Sequence, residues 1–526
     1  LFTTAGFTLG DDINSVINID NTTGDAIQVN SNGAFSHTND ATTINIGTNT
    51  AVGEYGIDIY GNAFLRGDIT IARTGSSGIR THDGALLNNP SAIINIGTVS
   101  NAAHGIRNQG QLINDATINV HRATFSGLFN GNTGNVNHKA AGTINIGTVA
   151  AAEGFGIFNV GLLNTRGPIN ILRAVDDGIY NNQGTFNINS GTITIGSTNL
   201  GNGGIDNTGT MTNKGTLEVV ACPGIGINNR NSGVFNNNSN GKLNLGITGT
   251  IIENALQNTS DFNNEGEINI QDTDGNGISN SGNSASFDNL NNGTINIGTS
   301  VGTIIGRGIR NSGGATFSNN ASTITIGHGG NASGNVYRGI SVEASTFRNQ
   351  NGSTLSILGP FNDAAFYMES ASSLFSNSGC SELYLYDFVN ISAGTFSNNN
   401  ALMFINTDAS HSNNGTFTNN GVLNYAQGGL IPNVTNNDLI IAPATGSCDF
   451  PDVVEKGGSN SFTPAGTWYT DPDYTTAGGT YTNNNTTFTT HPILNGSEDF
   501  YFTVSGNGWT FVVSIQLSTS SQIPCL

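Results

Sequence analysis

Charge is what this sequence has least of. Asp, Glu, Lys and Arg make up 10% of its 526 residues, against about 25% in ordinary globular domains. The 16 basic residues are outnumbered by 36 acidic ones, leaving a net charge of −20. That balance argues against nucleic acid or an anionic membrane as partner, because both are bound through clustered cations. Long apolar runs are also missing. None approaches the roughly 20 residues that a membrane-spanning helix needs. The chain opens at Leu1 without a signal peptide, which reads as a processed or trimmed end. Cysteine is limited to Cys222, Cys380, Cys448 and Cys525. The last two bracket the final segment and suggest one disulfide, Cys448–Cys525, and an oxidising compartment.

Glycine is abundant, at 72 residues, beside many Asn, Thr and Ser. Such a composition suits disorder, but the apolar residues, 36% of the chain, recur in order, which disorder does not require. "TINIGT" stands at 43–48, 143–148 and 294–299, and "IINIGT" at 93–98. The glycines of these copies and their looser relatives are Gly47, Gly97, Gly147, Gly196, Gly246 and Gly298, about 50 residues apart. A second motif, Gly-Ile-x-Asn, divides that period, as in "GIRN" at 105–108 and "GIYN" at 178–181. Short and long units alternate, so the real unit is 22–31 residues. A third motif, apolar-x-Asn, lies between the others and becomes Phe-x-Asn from Phe262 onward.

Three short period-2 strands per unit, separated by Gly/Asn turns, predict an all-β chain. The expected fold is a right-handed parallel β-helix with three strands per coil and about 14–15 coils, followed by a small antiparallel β-sandwich. Successive coils at about 4.8 Å would make a rod of roughly 65–75 Å. Stacking should place isoleucine on isoleucine. It should line up Asn108, Asn130, Asn159, Asn181, Asn207, Asn229, Asn258, Asn280 and Asn311 as one ladder, and Phe262, Phe287, Phe317, Phe347, Phe375, Phe396 and Phe417 as another. The extra residues of long coils, such as 98–103 and 148–154, should form a column of loops. Cys222 and Cys380 lie about six coils apart, too far to pair, and read as separate buried thiols. The expected divisions are 1–25 as an N-terminal cap or lead, 26–430 as the β-helix, 431–447 as a linker or C-terminal cap, and 448–526 as the sandwich. Within the last, 499–517 reads as a hairpin.

Candidate chemistry is sparse. "DTDGNG" at 272–277 resembles the start of a calcium loop through Asp272, Asp274 and Asn276, but position 283, where the closing Glu would stand, is Asn. "GHG" at 327–329 matches a polygalacturonase motif without the aspartates those enzymes need, and Asp176–Asp177 lie far from it. "RGD" at 66–68 runs directly into a strand. Outward Thr-x-Thr pairs are interrupted by Asp68, Pro168, Glu218, Lys242 and Glu267, which breaks any flat ice-binding array. No catalytic residue, cofactor or metal is implied.

Gly-Ile-x-Asn together with "FSNN" at 317–320 and "FTNN" at 417–420 resembles the repeats of secreted bacterial β-helix adhesins: autotransporter passengers, polymorphic outer-membrane proteins and haemagglutinin-like surface proteins. The resemblance covers about residues 12–430 and implies an extracellular, bacterial cell-surface role. The expected partner is a further copy of the chain, or a host or surface glycan or protein. The resemblance carries no catalytic residue across. The expectation is a non-enzymatic structural or adhesive protein. A sharper version makes it a subunit of a head-to-tail homopolymer, in which Leu1, Phe2, Phe7 and Leu9 dock on the far end of the next copy. The alternative is a carbohydrate-active or carbohydrate-binding β-helix protein, recognisable by clustered carboxylates and aromatics on one face, or by Trp468, Tyr469 and Tyr474.

Overall fold

A computed structural model describes residues 16–436, except 39, 300–303, 328–335, 408 and 426–429, together with strands at 2–3 and 6–9 and further strands between 439 and 516. The chain is an all-β parallel β-solenoid of about 16 turns. It divides into two units. One holds Leu1–Phe287, Asn292–Ile297 and Gly302–Gly306, and the other Asp288–Asn291, Gly298–Val301 and Arg307–Leu526.

In the first unit each turn contributes three strands, for example Ile79–Thr81, Leu86–Asn89 and Ile93–Ile96. Each strand pairs in parallel with its counterpart in the next turn. The third-strand isoleucines run Ile118, Ile144, Ile169, Ile193, then Leu217, Leu243 and Ile268, all opposite one another. Their neighbours alternate outward, so Ile144 and Ile146 are buried while Thr143 and Asn145 are half-exposed. Burying each isoleucine is worth about 1.5–3 kcal/mol, and one turn alone has no second surface to bury it against.

The turn count exceeds expectation because the lead is itself a turn. Phe2–Thr3, Gly6–Leu9 and Val16–Ile19 pair in register with Gln28–Val29, Ala34–His37 and Thr43–Ile46. At the other end the repeat continues past 430. Val434–Asn436 and Leu439–Pro443 both pair in parallel with Thr416–Tyr425. Pairing then becomes antiparallel, from Leu439–Pro443 to Asp452–Lys456 and on to Phe488–Thr490. The hairpin expected at 499–517 is present, with Phe502 opposite Val513 and Val504 opposite Phe511. Cys448, Cys525 and Tyr474 lie outside the described residues, as do Leu1 and His328.

Two kinds of glycine make the corners. The "NIG" glycines have positive φ, +70° at Gly97 and +72° at Gly147, a region glycine enters without strain. The Gly-Ile-x-Asn glycines do not; they are needed for space, since a Cβ on Gly127 would sit on the Ile146 side chain. Arg122 and Arg173 clamp these corners. Each donates to two carbonyls of the preceding turn, Arg122 to Gly97 and Thr98 and Arg173 to Gly147 and Thr148.

A fourth column joins the three strands. Ala102, Ala123, Ala152, Ala174 and Leu200 bridge in sequence, and so do Cys222, Ile251, Thr273 and Ile304. The long-coil segments 98–103 and 148–154 therefore each carry a buried, paired residue, Ala102 and Ala152. Cys222 sits here as a small apolar side chain, its thiol pushed up to about 12 by burial. The other cysteine reading needs correction. Cys380 is half-buried at a left-handed corner, with φ of 62°, and is not a free thiol.

Candidate functional site

The asparagine ladder forms as expected through the first unit. Each Nδ2 donates to the Oδ1 one turn on, from Asn108 through Asn130, Asn159, Asn181, Asn207, Asn229 and Asn258 to Asn280, at 2.7–2.8 Å. The same amides also bond corner carbonyls, such as Gly161 for Asn159, so their polarity is met inside an apolar core. In the second unit Asn311 donates instead to the carbonyls of Ala315 and Thr346, and its column continues with Val342, Met368 and Ile391. A second inner ladder runs there in the Phe-x-Asn position: Asn289, Asn319, Asn349, Asn377, Asn398 and Asn419. Phenylalanines stack beside it. Phe235, Phe262 and Phe287 lie 4.8 and 4.7 Å apart in the first unit, and Phe317 and Phe347 lie 4.8 Å apart in the second. Phe375, Phe396 and Phe417 continue that stack. These ladders are buried in the interior beside the isoleucines.

The remaining sequence candidates are dispersed. Asp272 accepts from Thr250, and Asn276 spends its amide on Asn254. Among the described residues no three Asp, Glu, His or Cys side chains converge to hold a metal. Arg66 of the Arg-Gly-Asp triplet stands near Asp40 at the surface, while Asp68 begins a strand paired on both sides.

The feature that spacing did not reveal is on the outer face of the first strands. The variable position of Gly-Ile-x-Asn points outward, and stacking lines up Asp58, Arg80, Arg107, Phe129, Phe158, Tyr180 and Asp206 in register. Phe129 and Phe158 are 5.3 Å apart, Phe158 and Tyr180 5.2 Å. His104, Phe125 and Phe155, from the approach to the same strands, close against them. Phe125 is 57% exposed. Together these side chains form a continuous aromatic strip on successive turns. The signal was present in the x residues themselves (Arg, Phe, Phe, Tyr), which vary while the motif around them repeats.

Charge brackets the strip. At one end Asp58 meets His82 at 2.9 Å, and Tyr60 stacks on His82. Burial outweighs their attraction, raising Asp58 and lowering His82, so both are drawn toward their neutral forms. Arg80 donates to the Tyr55 hydroxyl, and the Arg107 guanidinium lies 5.9 Å from the Phe129 ring centre. Burial, helped by Arg107, pushes His104 down to about 4. At the other end Arg230 grips both oxygens of Asp206, at 2.8 and 2.6 Å. Beside it Asp177 is buried, accepts from Gly203 N and Asn202 Nδ2, and is pushed up to about 6, chiefly by burial. Asp206 is thus committed to Arg230 and Asp177 to the turn that follows it. Neither is presented as half of an acid–base pair.

Family models, curated proteins and solved structures offer no match to the chain. The adhesin resemblance therefore rests on architecture, a parallel β-solenoid of repeated turns.

Proposed function

We propose that this chain is a non-enzymatic extracellular structural and adhesive protein of a bacterial surface. The solenoid serves as a stiff scaffold and the aromatic strip as its contact face. The observation that carries this reading is the strip: half-exposed aromatic side chains on successive turns are costly to leave in water and useful to cover. The filled interior supports a mechanical rather than a catalytic role. Right-handed winding, the strong preference of parallel crossovers, belongs to the same proposal. So do a small C-terminal sandwich and assembly of copies through the N-terminal turn and the C-terminal strands.

The test is adhesion. Wild-type chain and the triple variant Phe125→Ser, Phe158→Ser, Tyr180→Ser would be compared for binding to bacterial and host-cell surfaces and to a glycan array, with circular dichroism as the folding control. A folded variant that adheres as well as wild type would sink the reading. Deleting residues 1–12 should abolish any filaments seen by electron microscopy, and unchanged filaments would remove the polymer version. The second reading, carbohydrate binding, is favoured by one observation: the Arg107 guanidinium beside the strip has no acidic partner among the described residues. Release of reducing ends from acidic polysaccharide would turn the account toward an enzyme.

A further inference from the structure

On a different face of the first unit, a pocket of about 310 Å³ is lined by Asn135, Asn137, Asn164, Arg166 and Asn189. Elsewhere in this outward column the amides bond across turns, Asn263 to Asn236 and Asn187 to Asn164, each at 2.9 Å. Asn137 and Asn164 are also in register, yet no hydrogen bond joins their amides, and the ladder opens at the pocket. The Asn135 Oδ1 is buried there without a partner.

The corner beside the pocket concentrates positive charge. Backbone bonds from one turn to the next place Asp115, Lys139, Arg166, Asn189, Lys214, Asn238 and Glu265 in one column. Lys139, Arg166 and Lys214 make no ion pair among the described residues. Three of the 16 cations of a chain with net charge −20 thus stand within about 15 Å of one another, at about 4.8 Å per turn. The acids of the column, Asp115 and Glu265, lie at its two ends.

We propose that this pocket and corner bind an acidic polysaccharide through its uronate units. Asn135, Asn164 and Asn189 line the pocket with amides, which a sugar's hydroxyls can bond. The Arg166 guanidinium and the free amide hydrogens of Asn137 and Asn164 need an acceptor, which a carboxylate supplies, held by Arg166 in a two-pronged contact. Lys139 and Lys214 take the carboxylates of units before and after it. A sugar acid carries both groups on one ring; a simple anion has no hydroxyls for the amides, and a neutral sugar has no charge for Arg166. This deepens the adhesive reading by naming a ligand, and it does not use the aromatic strip.

The experiment is isothermal titration of the full chain with a hexameric oligogalacturonate, with the neutral glucose hexamer and a single-stranded oligonucleotide as controls. The proposal expects binding of the oligouronate alone, weakened at about 1 M salt. Arg166→Gln, on an exposed side chain, should lower affinity about tenfold or more. Lys242→Gln, whose lysine is already paired with Glu267, should leave it unchanged. No uronate binding, equal binding of either control, or an Arg166→Gln protein that binds like wild type would overturn it. The Phe125, Phe158, Tyr180 variant should bind the oligouronate normally. Loss of cell adhesion in that variant with titration intact, or the reverse, tells failure of one site from failure of the other.

Discussion

Asn130 Nδ2 donates to Asn159 Oδ1 at 2.7 Å, across 29 residues of sequence and one turn of the solenoid. Both side chains are fully buried. The bond is one link of a chain in which every amide points the same way along the column, from Asn108 to Asn280. The outer asparagines run the opposite way, Asn145 donating back to Asn119 and Asn170 back to Asn145.

The inner and outer ladders should differ sharply in cost. Asn159→Ala removes the acceptor of Asn130 and the donor to Asn181 and Gly161, leaving buried polar groups unmet at about 1–3 kcal/mol each. Asn145→Ala cuts bonds that water can replace, at about 0.5 kcal/mol. Guanidinium midpoints of the two variants should separate clearly, and equal shifts would mean the inner amides are hydrated.

Corner glycines can be ranked the same way. Gly147 and Gly84 both have positive φ, +72° and +76°. Alanine at Gly84 meets open space, whereas at Gly147 it meets the backbone of Arg173 in the next turn. Gly84→Ala should cost about 1–2 kcal/mol from conformation alone, and Gly147→Ala more, because the strand above must shift. A Gly147→Ala protein as stable as Gly84→Ala would show that the turns are not in contact there.

Acid should loosen the stack through His138, which occupies an asparagine position of a ladder. Its Nδ1 accepts from Asn114 Nδ2 at 3.1 Å and its Nε2–H donates to the Pro168 carbonyl at 3.1 Å, so the ring is neutral. Burial holds its pKa below the ordinary 6.5. The unfolded chain therefore takes up its proton first as pH falls. The stability is whole above about 6.5 and is lost as pH drops toward the folded value. His104, pushed down to about 4, adds a loss of the same sign. Asp177, pushed up to about 6, works the other way, protonating first in the fold. His138→Asn restores the amide that Asn114 carries one turn earlier and should flatten the decline in stability between about pH 7 and pH 5. An unaltered pH profile would count against the neutral tautomer.

Calcium should matter little at 272–277. With the Asp272 carboxylate on Thr250 and the Asn276 amide on Asn254, the turn is already satisfied by the turn before it. Adding calcium or chelator should leave the melting temperature in place, and a rise with calcium would reopen the site.

How much of this was legible follows from what repeats. Ile118 under Ile144 and Asn130 under Asn159 are visible as spacing because each copy is the template for the next. The column through Ala152, Ala174, Ile251 and Thr273 was not, since alanine, leucine, isoleucine, cysteine and threonine all occupy it and no fixed motif surrounds it. The aromatic strip was hidden for a related reason: Arg107, Phe129, Phe158 and Tyr180 occupy the one position of the motif that stacking leaves free to vary. The lead at 1–25 looked like a cap because Phe2–Thr3 and Gly6–Leu9 lack the Ile and Asn signature, yet backbone pairing alone makes them a turn.

Register is the claim on which everything else depends, and a cysteine pair tests it most directly. Thr117 and Thr143 are opposite each other on adjacent turns, both pointing outward, at the strand spacing of about 4.8 Å that a disulfide accepts. Thr117→Cys with Thr143→Cys should oxidise readily, mapped by mass spectrometry of the cross-linked peptide, while Thr117→Cys with Asn145→Cys, two residues out of step, should stay reduced. Efficient cross-linking of the second pair and none of the first would contradict in-register stacking.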